Sequence, residues 1–215
     1  MIDLIAIENH LPALQVVIPL LLAPVAILVS LPFLSWLVAL FGSLFCLYAS
    51  VSLFFQVSEF GKINYFMGGW LPPYGIEYVI DDASSFMIVL ISLMGVFATI
   101  FAYQSLKKEI NKKSQSKVYG MWLLALGGLL GLVTTGDAFN LFVFLEISSL
   151  SSVTLVALGS KKDKRALTAA FNYLLIGAVG ATFYVIGVGL LYSVTGTLNI
   201  ADLTIKISEL TANNS

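Results

Sequence analysis

The chain has 215 residues, of which 59% are hydrophobic and only 11% charged, with a mean hydropathy of +0.95. Soluble domains sit near about 45–50% apolar and about 25% charged, so one core could not hide this much apolar surface and the surplus must face lipid. A net charge of −1 gives no reason to expect nucleic acid, and one cysteine (Cys46) with one histidine (His10) excludes a disulfide framework or a cysteine/histidine metal cluster.

A helix needs about 20 mostly apolar residues to cross the hydrocarbon. The first stretch that qualifies is 11–31, which contains Pro19 and Pro24. Membrane helices tolerate proline better than soluble ones. Residues 1–10 carry Asp3 and Glu8 and no basic residue, so they read as the start of a retained helix, not as a signal peptide. The second stretch is 34–56. The loop after it holds Gly68, Gly69, Trp70, Pro72, Pro73, Tyr74 and Gly75, then an alternating run over 76–80. That pattern predicts turns followed by a short strand or hairpin at the membrane surface. Tyr65, Trp70, Tyr74 and Tyr78 suit an interfacial aromatic belt.

Four further spans follow: 86–105, 118–136, 138–158 and 167–194, none with Lys or Arg in its apolar body. Segment 195–215 is read as an outer interfacial piece. In it Asn199 is placed to cap a short helix with Ile200, Leu203, Ile207 and Leu210 on one face, and the polar tail 211–215 is expected to fray. The predicted fold class is all-α integral membrane, with six transmembrane helices in one domain over 1–215.

Basic residues orient the bundle. Lys107, Lys108, Lys112, Lys113 and Lys117 lie between spans three and four, and Lys161, Lys162, Lys164 and Arg165 between five and six; only Lys62 and Lys206 lie opposite. The positive-inside rule then places both termini on the outer side of a cell (inner/plasma) membrane.

Glu146 lies within span five, near mid-membrane. A carboxylate there costs on the order of 3 kcal/mol or more, and such a group is a functional candidate by default. It can hold a proton and release it when hydration or a nearby cation changes, as a proton relay requires. The alternative is a carboxyl held protonated and simply hydrogen-bonded to a neighbouring helix. Ser148, Ser149, Ser151, Ser152 and Thr154 follow it, either lining a wet cavity or letting helices pack closely. Ser149, at i+3, shares the face of Glu146. Asp137 is equally a helix cap or an ion-access group, and Asn140 lies on the turn beside it. On span six, Asn172 is a polar candidate for ordering water or binding Glu146. Tyr173, Thr182 and Tyr184 are candidates for lining the same path or for core packing, and Gly177, Gly180, Gly187 and Gly189 for close helix packing. No P-loop, dinucleotide fingerprint or nucleophile triad is present. No catalytic chemistry and no cofactor are therefore expected in this chain.

The run TGDAFNLFVFLE (135–146) resembles the fifth-helix motif of the antiporter-like subunits of Mrp cation/proton antiporters, respiratory complex I and membrane-bound hydrogenases. Three collinear segments agree: GGWLPPYGIEYVID (68–81), AFNYLLIG (170–177) and GLLYSVTGTLNIADL (189–203). The match looks most like the D-type subunit of Mrp antiporters. The resemblance implies the first part of a fold of about fourteen helices built on inverted repeats. It also implies that Glu146 is the acidic residue of a half-channel. Members commonly carry a lysine where this chain has Asn172. Proton translocation is thus expected to involve Glu146 and Asn172, with Asp137, Asn140, Ser149 and Tyr173 lining the path. Implied partners are other membrane subunits, a chain or segment supplying helices seven onward, protons and Na+. The readings left open are a cation/proton antiporter, a redox-driven pump of NADH-quinone oxidoreductase or hydrogenase type, and a non-conducting structural subunit.

Overall fold

The structure, a computed structural model, describes residues 8–29, 31–161 and 163–213. Asp3, Lys162 and the last two residues of the tail lie outside them. Among the described residues six helices are long and apolar enough to cross a membrane: α1 Leu11–Leu28, α2 Pro32–Phe60, α3 Asp82–Glu109, α4 Lys112–Thr134, α5 Ala138–Leu158 and α6 Arg165–Thr195. A seventh, α7 Ile200–Asn213, is too short to span. Between α2 and α3 lies a hairpin of β1 Ile63–Phe66 and β2 Glu77–Ile80, antiparallel, with Ile63 opposite Ile80 and Phe66 opposite Glu77.

Apolarity marks where the hydrocarbon lies, but capping decides where a helix starts. Pro32 occupies the first turn of α2, where its missing N–H is no loss. Asp81 caps α3, which starts four residues before the expected apolar stretch. Ser84 N donates to Asp81 Oδ1 at 2.8 Å and Asp81 N to Ser84 Oγ at 2.7 Å, a reciprocal capping box. The hydrogen bonds from Ser84 hold the Asp81 carboxyl below the usual carboxylate range.

α4 is the centre of the bundle, packed against α1, α2, α3 and α5. Over half of its apolar stretch (56%) is buried, against 11% for α6 at the edge. Lipid is as apolar as leucine, so close packing and interhelical hydrogen bonds must hold such a bundle together. Small residues make that approach feasible on α4. A Cβ on Gly128 would meet the Ser148 backbone nitrogen at 2.8 Å, and one on Gly131 the Phe144 ring at 2.5 Å. Trp122 Nε1 donates to Thr99 Oγ1 at 2.9 Å, and Ser35 Oγ donates to Ser116 Oγ at 2.8 Å. The close packing expected at the α6 glycines is not made within this chain. Among the described residues, a Cβ on Gly177, Gly180, Gly187 or Gly189 meets nothing within 4 Å, and α6 makes its main helix packing with α5.

One aromatic of the expected interfacial belt is placed otherwise. Trp70 and Tyr74, at the hairpin tip, are exposed, and Tyr65 is half-buried with its hydroxyl 2.9 Å from His10 Nδ1. Tyr78 instead is buried, pairing with Thr135 and meeting the Phe144 ring edge-on at 6.3 Å. Burial pushes its hydroxyl up to about 12, with a hydrogen bond to Asn140 opposing the shift.

Candidate functional site

Three segments far apart in sequence meet at one end of the bundle and set the start of α5. Gly136 N donates to Glu77 O of β2 at 2.8 Å, while Ile200 N donates to Gly136 O at 2.9 Å and Ala138 N to Leu198 O at 2.8 Å. The 135–137 turn is thereby held between the hairpin and the α6–α7 connection. Asp137 caps α5: its Oδ1 accepts from Asn140 N at 2.7 Å, and Asn140 Nδ2 donates to Thr135 Oγ1 at 2.9 Å. Burial raises the Asp137 carboxyl above its ordinary range, opposed by the backbone donors of Asn140 and Phe139. The capping geometry of Asp137 and Asn140 is made; neither lines the cleft at Glu146.

From this anchor α5 rises about 1.5 Å per residue, which puts Glu146 about 13 Å along the helix axis from its cap. With Ser149, Leu150 and Val153 it forms a stripe at helical spacing. That stripe faces Tyr173, Leu174, Gly177 and Ala178 of α6 across a cleft of about 80 Å³. Such a volume admits about two or three water molecules. Glu146 is half-buried, and among the described residues its carboxylate accepts no hydrogen bond. Ser149 Oγ donates to the Glu146 backbone carbonyl at 3.3 Å. The other hydroxyls of the run behave likewise: Ser148, Ser151, Ser152 and Thr154 donate to carbonyls one turn back. Their protons are committed to the helix, leaving their oxygens as acceptors.

The structure therefore brings Glu146, Ser149 and Tyr173 together. It does not bring Asn172 to them. Asn172 is exposed and lies outside the α6 stripe, because one residue turns a helix by about 100°. Thr182 donates to Ala178 O, and Tyr184 donates to Ala138 O while stacking on Phe142.

Sequence reasoning passes over Glu77. It is buried (7% exposed) and accepts from Asn199 Nδ2 at 2.7 Å. It also opens onto a cavity of about 290 Å³ lined by Lys62, Asp81, Ser84, Thr135 and Thr204 among others. The available signal is a carboxylate inside an otherwise apolar strand.

Six apolar helices of spanning length define a multi-pass membrane protein, and its fifth helix turns a carboxylate toward the sixth. The family described as NADH:quinone oxidoreductase/Mrp antiporter, transmembrane, matches residues 135–215. The NADH-quinone oxidoreductase subunit N of Desulforudis audaxviator is 41% identical over 204 residues, 94% of this chain and 40% of that protein. The D-type Na(+)/H(+) antiporter subunit of Alkalihalophilus pseudofirmus is 33% identical over 203 residues, again 94% and 40%. Among solved structures, an archaeal membrane-bound sulfane sulfur reductase superposes with a TM-score of 0.82 at 32% identity, over 91% of this chain and 40% of that one. The Mrp complex from a Dietzia species superposes with 0.81 at 28%, over 94% and 39%. The chain belongs to the antiporter-like membrane subunits shared by Mrp antiporters and complex I-type assemblies, and it spans about 40% of the length of those relatives, their amino-terminal portion.

Proposed function

We propose that this chain contributes a half-channel to a multi-subunit proton-translocating or cation/proton antiporter complex, with Glu146 as its proton-carrying group. The observation that carries this reading is the pair of facing stripes. Glu146 lines a narrow cleft with Tyr173 and Gly177, within the apolar length of α5. A carboxyl on an apolar spanning helix with water-sized space beside it is a functional candidate by default. Ser149 and Tyr173 line its surroundings, and Asn172 stands where relatives commonly carry a lysine.

The cation that answers Glu146 has to come from outside these six helices, since none of them carries Lys or Arg in its apolar body. A chain or segment supplying helices seven onward, seated on the exposed side of α5 and α6, is the partner this reading requires. Other membrane subunits complete the complex, in the cell membrane with both termini outward and protons, with or without Na+, as the cargo.

The test is transport by the assembled complex in inverted vesicles. Glu146→Gln and Glu146→Ala abolish proton-coupled transport while the subunit still assembles, and Asn172→Ala gives a smaller loss. Unchanged transport in both Glu146 variants would falsify the translocation role and leave a structural subunit. A redox-driven pump is the second reading, favoured by the 41% identity to an oxidoreductase subunit N. Iron–sulfur subunits copurifying with the chain would decide for it, and small Mrp-type membrane subunits for the antiporter.

A further inference from the structure

The end of the bundle opposite the hairpin carries a groove of about 790 Å³, bounded by Leu31, Pro32 and Phe33 at the start of α2, Tyr103, Lys107 and Ile110 of the α3 end, and Asn111, Lys112 and Gln115 of the α4 start. Clefts that hold small organic ligands span about 300–1,000 Å³, so the groove is of ligand size. Its two sides differ in chemistry.

One side is an apolar and aromatic shelf. Leu31 and Phe33 are exposed, and Phe33, Trp36 and Tyr103 form a packed cluster, with the Trp36 and Tyr103 rings 4.6 Å apart. Trp36 Nε1 donates to Thr99 O at 3.0 Å, which fixes the shelf to α3.

The other side is cationic. Lys107 Nζ sits 3.7 Å from the centre of the Tyr103 ring, at the edge of the shelf. Residues 103–117 hold five lysines and one acid, Glu109. Among the described residues neither Lys107 nor Lys112 makes an ion pair. The carbonyls at the α3 end are satisfied from within, since Gln115 Nε2 donates to Leu106 O at 3.2 Å and Ile110 O at 2.9 Å. α4 begins with Lys112 and Lys113, has no acid in its first turn and no side-chain cap. Cations at a helix start oppose the dipole, and a bound anion reverses that penalty.

We propose that this groove binds an anionic phospholipid, its phosphate between Lys107 and Lys112 and its chain tops against Leu31 and Phe33. Only a ligand with an anionic head and apolar tails uses both sides at once. Basic recesses between membrane helices are suited to such headgroups. A free phosphate offers the same charge without the tails.

The test is binding of fluorescent phosphatidylglycerol to the full chain in neutral detergent. Phosphatidylglycerol binds at least about tenfold tighter than phosphatidylcholine, and Lys107→Gln/Lys112→Gln weakens it about thirtyfold, at about fivefold per lysine. Lys107→Arg/Lys112→Arg keeps the affinity, and Lys164→Gln on the neighbouring loop leaves it unchanged. Equal binding of the two lipids, or a double Gln variant that binds as wild type, overturns the proposal. So does competition by inorganic phosphate as effective as that by unlabelled phosphatidylglycerol, which would mark a free-phosphate site.

Discussion

The side-chain amide of Asn199 donates to the Glu77 carboxylate at 2.7 Å, joining residues 122 positions apart, while its own oxygen accepts from Asp202 N at 3.1 Å. One side chain thus caps α7 and secures a buried carboxylate on the hairpin. Both halves bear on the turn that starts α5. Asn199→Asp keeps the cap and sets two carboxylates against each other, which destabilises the chain by about 2–4 kcal/mol, and Glu77→Gln in the same background recovers most of the loss. A double-mutant cycle on unfolding in mixed micelles, followed by circular dichroism, measures the coupling at about 1–3 kcal/mol. Additive effects would show that the two residues are not energetically linked.

Asp137 holds a cap at the cost of burying a carboxylate. Its raised folded value means that the folded state binds the proton more tightly than the unfolded state does. The group's contribution is therefore most favourable below the unfolded value of about 3.9 and declines as pH rises through the folded one. Asp137→Asn keeps an acceptor for Asn140 N and removes the charge, so it is as stable as wild type or more so at neutral pH and loses this slope. Asp137→Ala loses the cap as well and costs about 0.5–2 kcal/mol. Unfolding between pH 4 and 7 reads both; a slope that persists in the Asn variant overturns the assignment.

The six spans, and the presence of Glu146 on the fifth, are legible because both rest on local composition: a run of apolar residues names a span, and a carboxylate inside one stands out. The α7 cap is legible at Asn199 for the same reason. What cannot be read is pairing at long range. Nothing near Glu77 announces Asn199, and the strand's alternation does not say which face turns inward, so Tyr78 reads as a surface aromatic and lies in the core. The placement of Asn172 turns on helical phase. It is one residue from Tyr173, yet the helical turn takes it off the stripe that faces Glu146. The α6 glycines suggest close packing, but composition cannot say which helix is central, and α4 holds that place.

Gly128 lies against the backbone of α5, so its lack of a side chain is a packing requirement. A Cβ there comes within 2.8 Å of Ser148 N and 3.0 Å of Ser148 Cα, and backbone cannot swing aside as a side chain can. Gly128→Ala pushes α5 off α4 and costs about 1–3 kcal/mol. Gly180→Ala, on the open side of α6, costs nothing measurable. Thermal unfolding of the two variants in the same detergent makes the comparison, and equal midpoints would refute the close approach.

Gly177 allows the cleft to be closed without disturbing the fold. It lines the space beside Glu146, yet a Cβ at this position meets nothing within 4 Å, so the backbone has room for a larger side chain. Gly177→Leu adds four carbons to a cleft of about 80 Å³, enough to displace the water it can admit. Leucine also favours the helix over glycine, by about 0.8 kcal/mol. The variant therefore unfolds no earlier than wild type, while labelling of Glu146 by a hydrophobic carbodiimide, read by mass spectrometry of the peptide, falls several-fold. Gly187→Leu, one helical stretch further along and outside the cleft, labels as wild type does. Undiminished labelling in Gly177→Leu would mean that Glu146 is reached from the other side of α5 and that the facing stripes do not control its access.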